Sequence, residues 1–176
     1  MTRLSATGRS VLSYPERGAT ARRPLPDGYH HLHHRTRVGQ GREVFEAAGA
    51  AVRTFALHRA TGATVRADGP AAPGVRVEIA LGVGPLRIGV PCEVIWVPQE
   101  PDRAGFAYGT HTGHPESGEE SFLVEIDGDG TVWFEVTAFS RPVAWYTRLA
   151  GPLVPVLQLA YARLLGRRLR GLAASA

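Results

Sequence analysis

The chain has 176 residues, 44% of them hydrophobic, enough for one domain around one core and too apolar for wholesale disorder. The formal net charge is +4 and all 20 basic residues are arginine. They are scattered except at Arg163, Arg167, Arg168 and Arg170, so neither a basic face nor a reader motif is present and no nucleic-acid partner is expected. A single cysteine, Cys92, excludes an internal disulfide, and no apolar run is long enough for a membrane span or a secretory leader, so a cytoplasmic location is expected.

Residues 1–28 are rich in Arg, Gly and Pro and read as an irregular arm packed on the domain through Val11, Leu12 and Tyr14. A strand is expected over 29–38. Gly39-Gln40-Gly41 then opens a helix to about residue 58, with an apolar stripe of Val44, Ala48, Ala51, Val52 and Phe55 at helical spacing. Gly62 follows as a stop. Val75, Val77, Ile79 and Leu81 alternate with polar or small residues, as a half-buried strand requires. After a turn at Gly82–Pro85, a second alternating strand runs over 86–96, where Pro91 suggests an edge position or a bulge. Further strands are expected over 104–112, 122–127 and 131–139, the last two joined by the hairpin turn Asp127-Gly128-Asp129-Gly130. Ser140 is a good N-cap and Pro142 is tolerated in a first helical turn, so a short helix is expected near 142–150. Pro152 and Pro155 separate it from a longer helix over 153–171, striped by Leu153, Leu157, Ala160 and Leu164. Residues 173–176 read as a disordered tail.

The order strand, helix, five antiparallel strands, helix makes this an α+β protein. An antiparallel sheet with one buried face needs a cover. The long final helix supplies it, and a strongly twisted sheet wrapped around that helix is the helix-grip arrangement, which leaves a cavity between the two.

The connection between two of these strands, 108–122, holds more ionisable groups than a turn requires: His111, His114, Glu116, Glu119 and Glu120. A histidine beside glutamates can form an acid–base pair, or part of a metal set. Glu119 and Glu120 are adjacent and so point to opposite strand faces. Glu120 shares the parity of Phe122 and is expected to face the core, with Arg141 as its charge partner. Tyr108 and Trp133 are expected to line the cavity, with Glu135 and Thr137 on the Trp133 face supplying polar contacts; Trp96, Phe134 and Trp145 complete the aromatic set. His30, His31, His33 and His34 read as a solvated face of an edge strand rather than a metal site, since no cysteine or matched acid completes a ligand set. Cys92 lies in an apolar series and reads as inert. No phosphate loop, dinucleotide fingerprint or nucleophile elbow is present, so no cofactor is expected.

The segment Phe106-Ala-Tyr-Gly-Thr-His-Thr-Gly-His-Pro-Glu-Ser-Gly-Glu-Glu-Ser-Phe122 resembles the signature of the bacterial and plant family called domain of unknown function 1990. Pro101-Asp-Arg-Ala-Gly105, Gly130-Thr-Val-Trp-Phe134, Thr137-Ala-Phe-Ser-Arg-Pro142, Arg148-Leu-Ala-Gly-Pro152 and Tyr14-Pro-Glu-Arg-Gly18 are similar to it as well. His111-Thr112 departs from the pattern. The resemblance implies a fold related to the START and birch-pollen-allergen helix-grip proteins, and no established reaction.

The expectation is therefore a helix-grip domain, monomeric or homodimeric, that binds a small hydrophobic or amphipathic molecule. Its site residues would be Tyr108, His114, Glu116, Glu120, Trp133, Glu135 and Arg141, with no metal. One alternative is an enzyme of cyclase, hydrolase or isomerase type using His114 with a nearby glutamate. Another is a protein- or membrane-interaction module, although membrane association is not expected.

Overall fold

The computed structural model describes residues 11–81, 88–145, 151 and 153–175. The strands are β1 (His30–Gln40), β2 (Thr64–Ala67), β3 (Arg76–Leu81), β4 (Ile88–Trp96), β5 (Arg103–Thr110), β6 (Glu116–Ile126) and β7 (Thr131–Pro142). Helices α1 (Arg42–Arg53) and α2 (Ala56–Ala60) follow β1, and α3 (Leu153–Ala174) ends the chain. The strands form one antiparallel sheet in the order β1-β7-β6-β5-β4-β3-β2. This is the expected α+β helix-grip fold.

Each helix forms because an apolar stripe faces the sheet. In α1 the buried residues are Phe45, Ala48, Gly49 and Val52. The helix was expected to run on to residue 58, but it ends at Arg53 and α2 begins at Ala56. Phe55 between them takes a left-handed φ of 60°, which costs a residue with a Cβ about 1–2 kcal/mol. Burial of its ring, packed edge-on against Phe106 at 5.0 Å, offsets that strain. Six strands follow the helices rather than five, because the four-residue β2 carries too little alternation to register in the sequence.

The inner sheet face contributes Val77, Ile79, Val94, Phe106, Phe122, Val124, Val132, Phe134 and Val136 to one core with α1, Leu57 and α3. Truncating a phenylalanine in such a core costs about 3–5 kcal/mol. The helix α3 docks through Ala162, Leu165, Gly166, Leu169 and Ala173. At Gly166 a Cβ would collide with Thr36 of β1, so the helix lies directly on the strand. Arg170 donates to the Arg37 carbonyl at 2.7 Å and holds the same end. The expected stripe of Leu153, Leu157, Ala160 and Leu164 is therefore rotated away from the docking face. Leu153 and Leu157 are 62% and 65% exposed. The first turns of α3 stand over a cavity instead of packing on the sheet.

Two further expectations change. Ser140, Arg141 and Pro142 do not start a helix; they finish β7, because β6 extends back to Glu116 and pairs it with Pro142. Residues 146–150 of the expected short helix and the Gly82–Pro85 turn lie outside the described residues. Nor is β4 an edge strand. Pro91 is accommodated because pairing with β5 starts only at Cys92, and the register shift comes later, between Val94 and Trp96.

The outer sheet face is covered by residues from the chain's start. Leu12, Tyr14 and Ala19 bury against Phe139, with Leu25, Tyr29 and Ile95 around them. Gly109 makes the approach possible, since a Cβ there would overlap the Tyr14 hydroxyl.

Candidate functional site

Where the sheet diverges from the first turns of α3, it leaves a cavity of about 400 Å³. Its apolar wall includes Ile79, Val90, Ala138, Val154 and Leu157, and its polar groups include Tyr108, His114, Glu116, Glu120, Ser140, Gln158 and Tyr161. A largely apolar concavity of this size with a few convergent polar groups is the usual form of a small-molecule site.

The strand β6 delivers the carboxylates. Glu116, Gly118 and Glu120 share one face by the two-residue period, and all three line the cavity. Tyr108 stands opposite Glu120 on β5 and donates its hydroxyl to Glu120 Oε2 at 3.0 Å. Burial pushes the Glu120 carboxyl up to about 7; the Tyr108 bond opposes the rise and the Glu116 charge adds to it. Burial likewise raises the Tyr108 and Tyr161 phenols. Glu116 Oε2 accepts from Gln158 Nε2 at 2.8 Å, and Gln158 also reaches Ser140 Oγ at 3.0 Å. Gln158 therefore ties α3 to β6 and β7 across the cavity.

His114 precedes the strand. Its Nδ1 lies 2.9 Å from the Glu116 amide and 2.8 Å from the Glu116 carbonyl, so the backbone of Glu116 holds the ring. Burial pushes the imidazole down to about 4, so the ring is neutral at physiological pH. His114 and both glutamates share the cavity, but the bonds to its Nδ1 come from the Glu116 backbone and not from a carboxylate.

Glu119 points the other way, as strand parity requires. Its carboxylate accepts from the Tyr14 hydroxyl at 2.6 Å, from the Gly18 amide at 2.7 Å, from the Thr20 amide at 3.0 Å and from the Thr20 hydroxyl. Although the residue borders the cavity, its carboxylate is held by the N-terminal segment, which it anchors.

Three of the expected site residues lie on this outer face as well. Cross-strand register pairs Phe122 with Val136 and Glu120 with Ala138, so the even-numbered residues of β7 face inward. Trp133, Glu135, Thr137 and Arg141 face outward. The Trp133 indole donates to Asp127 Oδ2 at 2.9 Å and lies under the Arg35 guanidinium at 4.4 Å. Glu135 meets His33 at 3.3 Å and Arg23 at 3.6 Å. Thr137 accepts from Arg23 at 3.0 Å. The Arg141 guanidinium sits over the Tyr29 ring at 5.1 Å and is not the partner of Glu120. The Trp96 indole also points outward, to the Thr20 hydroxyl at 2.9 Å, and Trp145 is 73% exposed.

The histidine cluster lies on β1, which is an edge strand as expected. His31 bonds to the Pro26 carbonyl at 2.7 Å and His34 to the Thr36 hydroxyl at 3.0 Å. Among the described residues no group of three His, Cys, Asp or Glu side chains is placed to hold a metal. Cys92 is buried and its thiol is pushed up by burial. His111, the departure from the family pattern, is buried with Nε2 3.2 Å from Glu93.

Sequence reasoning missed Ser140, Gln158 and Tyr161, which enter the cavity only through the phase of α3 and the length of β7. It also missed His58. That imidazole is fully buried, and neither ring nitrogen has a hydrogen-bond partner among the described residues. It packs edge-on against Phe122 at 4.8 Å and lies near Phe106 and Tyr108. Burial pushes it down to about 4. Its spacing of three from Phe55, on the helical stripe, was the available signal.

The family described as Domain of unknown function (DUF1990) matches residues 13–168. A "UPF0548 protein" of Deinococcus radiodurans is 36% identical over 170 residues, covering 89% of this chain and 85% of that one. Another from Arabidopsis thaliana is 32% identical over 143 residues, covering 78% and 70%. Among solved structures, norcoclaurine synthase from Thalictrum flavum in complex with dopamine and hydroxybenzaldehyde aligns with a TM-score of 0.61 at 12% identity, covering 99% of this chain and 98% of that one. A hypothetical protein from Helicobacter pylori gives 0.63 at 10% identity, covering 96% and 99%. Ara h 8.0201 gives 0.57 at 14% identity, covering 85% and 100%. At these identities the structures establish a shared fold. The chain belongs to the DUF1990 family.

Proposed function

We propose that this protein binds a small amphipathic molecule in the cavity between the sheet and the start of α3. The observation that carries the reading is the lining. Apolar side chains cover most of the wall, and the hydrogen-bonded pairs Tyr108–Glu120 and Gln158–Glu116 supply polar groups within it. Exposed Leu153, Val156 and Leu157 continue the apolar surface outward along α3 and ease entry of an apolar body. The Thalictrum protein, solved with dopamine and hydroxybenzaldehyde, supports a ligand of that size class. The lone buried Cys92 suits a reducing compartment such as the cytoplasm. Native mass spectrometry of protein purified without added ligand, followed by organic extraction, tests the proposal. A bound species of a few hundred daltons is the expected result. A ligand-free protein that also fails to take up a panel of amphipathic fluorophores would overturn it.

Acid–base catalysis in the same cavity is a second reading, of cyclase, hydrolase or isomerase type. The observation favouring it is Glu120, a carboxyl held near 7 beside the Tyr108 hydroxyl and so able both to give and to take a proton at neutral pH. Glu120 replaces His114 as the acid–base group, because the neutral imidazole is held by backbone. The sequence has no lysine, so no side-chain amine is available for an imine intermediate. Extracted ligand recovered chemically changed after incubation with the protein, but unchanged with Glu120→Gln, is the outcome that distinguishes catalysis from binding.

A further inference from the structure

The cavity carries an unbalanced charge. Glu116 and Glu120 line it, while among the described residues its lining contains no arginine and one histidine, the neutral His114, and the sequence has no lysine. A carboxylate can accept about four hydrogen bonds. Among the described residues Glu120 receives one, from Tyr108, and Glu116 receives one, from Gln158. The arginines that pair with carboxylates, Arg23, Arg35 and Arg103, do so with Glu100, Glu125, Asp127 and Glu135, none of which lines the cavity. Tyr108 from β5 and Glu116 from β6 act on the Glu120 carboxyl, and that carboxyl in turn acts on Cys92 of β4 and Tyr161 of α3. None is a cation. An anion in an apolar enclosure is costly unless a cation or a full set of donors compensates it.

We propose that the ligand of this cavity carries a cationic amine, with its ammonium on Glu120 beside the Tyr108 and Tyr161 rings and its apolar body along Ile79, Val90, Ala138 and Leu157. This rests on the ligand-binding reading above and names its chemical class. Glu116, four residues back on the same strand face, adds a second negative charge. Gly118 between them lets β7 approach closely, since a Cβ there would collide with the Phe139 carbonyl. Aromatic faces beside an ammonium add cation–π attraction. The ammonium also displaces the proton that burial otherwise keeps on Glu120, so binding releases a proton near neutral pH.

Four matched probes test this on the full chain: 4-phenylbutylamine, its N-trimethyl derivative, 4-phenylbutanol and 4-phenylbutyrate. Titration calorimetry at pH 6, 7 and 8, in two buffers of different ionisation enthalpy, reads affinity and proton release together. Both cations are expected to bind at least about thirtyfold more tightly than the alcohol, and the carboxylate not at all. Affinity for the trimethylammonium probe is expected to rise as pH increases from 6 to 8, approaching tenfold per unit below the Glu120 midpoint. Glu120→Gln is expected to abolish the cation preference and the pH dependence while still binding the alcohol, which shows that the variant is folded. If the alcohol or the carboxylate binds as tightly as the amine, or if Glu120→Gln leaves amine affinity unchanged, the amine inference is overturned and the cavity reading survives. Failure of all four probes to bind a ligand-free wild-type protein overturns both.

Discussion

Glu119 and Glu120 are consecutive in β6, and each accepts a tyrosine hydroxyl on a different face of the sheet. Glu119 takes Tyr14 at 2.6 Å under the N-terminal segment, and Glu120 takes Tyr108 at 3.0 Å at the cavity. One peptide bond separates a structural anchor from a group with chemistry, and substitutions at the two positions should differ in kind.

Glu119→Ala should detach the N-terminal segment. It strands the Tyr14 hydroxyl, the Gly18 and Thr20 amides and the Thr20 hydroxyl in a buried site. Unmade buried hydrogen bonds of this number predict a loss of about 3 kcal/mol or more. Thermal unfolding and limited proteolysis of residues 11–28 measure it. Gly109→Ala should give the same pattern by displacing Tyr14. Undiminished protease resistance in both variants would contradict the anchoring role.

Tyr108→Phe should move the Glu120 titration upward from about 7, because the hydroxyl is the group that favours the charged carboxylate. A lost hydrogen bond to a charged group corresponds to a shift of about one unit. Carbon NMR of labelled glutamate reads the midpoint. A fall in the midpoint, or no movement, would show that Tyr108 does not act on Glu120.

His58 should make the protein sensitive to acid. Its folded value of about 4 lies below the ordinary 6.5, so the unfolded chain takes up a proton first. Stability is therefore full above about 6.5 and falls as pH drops towards 4, by about 3 kcal/mol from this residue. Leucine in its place removes that dependence. It also replaces an unpartnered polar ring with an apolar group, so His58→Leu should be neutral or stabilising at pH 7.5. Urea unfolding of both proteins at pH 7.5 and pH 5 decides the point: His114 and Glu120 also titrate in this range but are common to both, so a His58→Leu variant that changes in stability between the two values as much as wild type does rules out the idea.

Ala138→Leu should fill the cavity. Ala138 pairs with Glu120 across β6 and β7 and lines the cavity wall. The added side chain enters open space, so the thermal midpoint should hold while ligand occupancy falls. Native mass spectrometry that finds the same bound mass in this variant as in wild type would place the ligand elsewhere.

Much of the frame was legible before the structure. Alternation located most of the strands, and parity alone separated Glu119 from Glu120. The face of β7 was not legible. Trp133 and Phe134 are adjacent aromatics, so both faces look apolar, and only the pairing of Phe122 with Val136 decides which one meets the core. Residues 116–121 looked like a loop because they are polar and include a glycine. They form a strand because β7 continues past Phe139 and offers them a backbone partner through Pro142. His58 was overlooked because a polar residue on a helical stripe reads as an interruption, and only the aromatic packing around it shows that it is buried.

The sequence by itself determined the fold class, the inward direction of Glu120 and the outward direction of Glu119, because local periodicity fixes which side chains share a face. The tertiary structure decided what each carboxylate meets. Register sends Arg141 to the outer face, and the phase of α3 brings Gln158 and Tyr161 to the cavity while lifting Leu153 and Leu157 off the sheet. Those outcomes depend on contacts between residues distant in the chain, so no local pattern encodes them. They leave Glu120 in an apolar cavity with a tyrosine for company and no cation among the described residues.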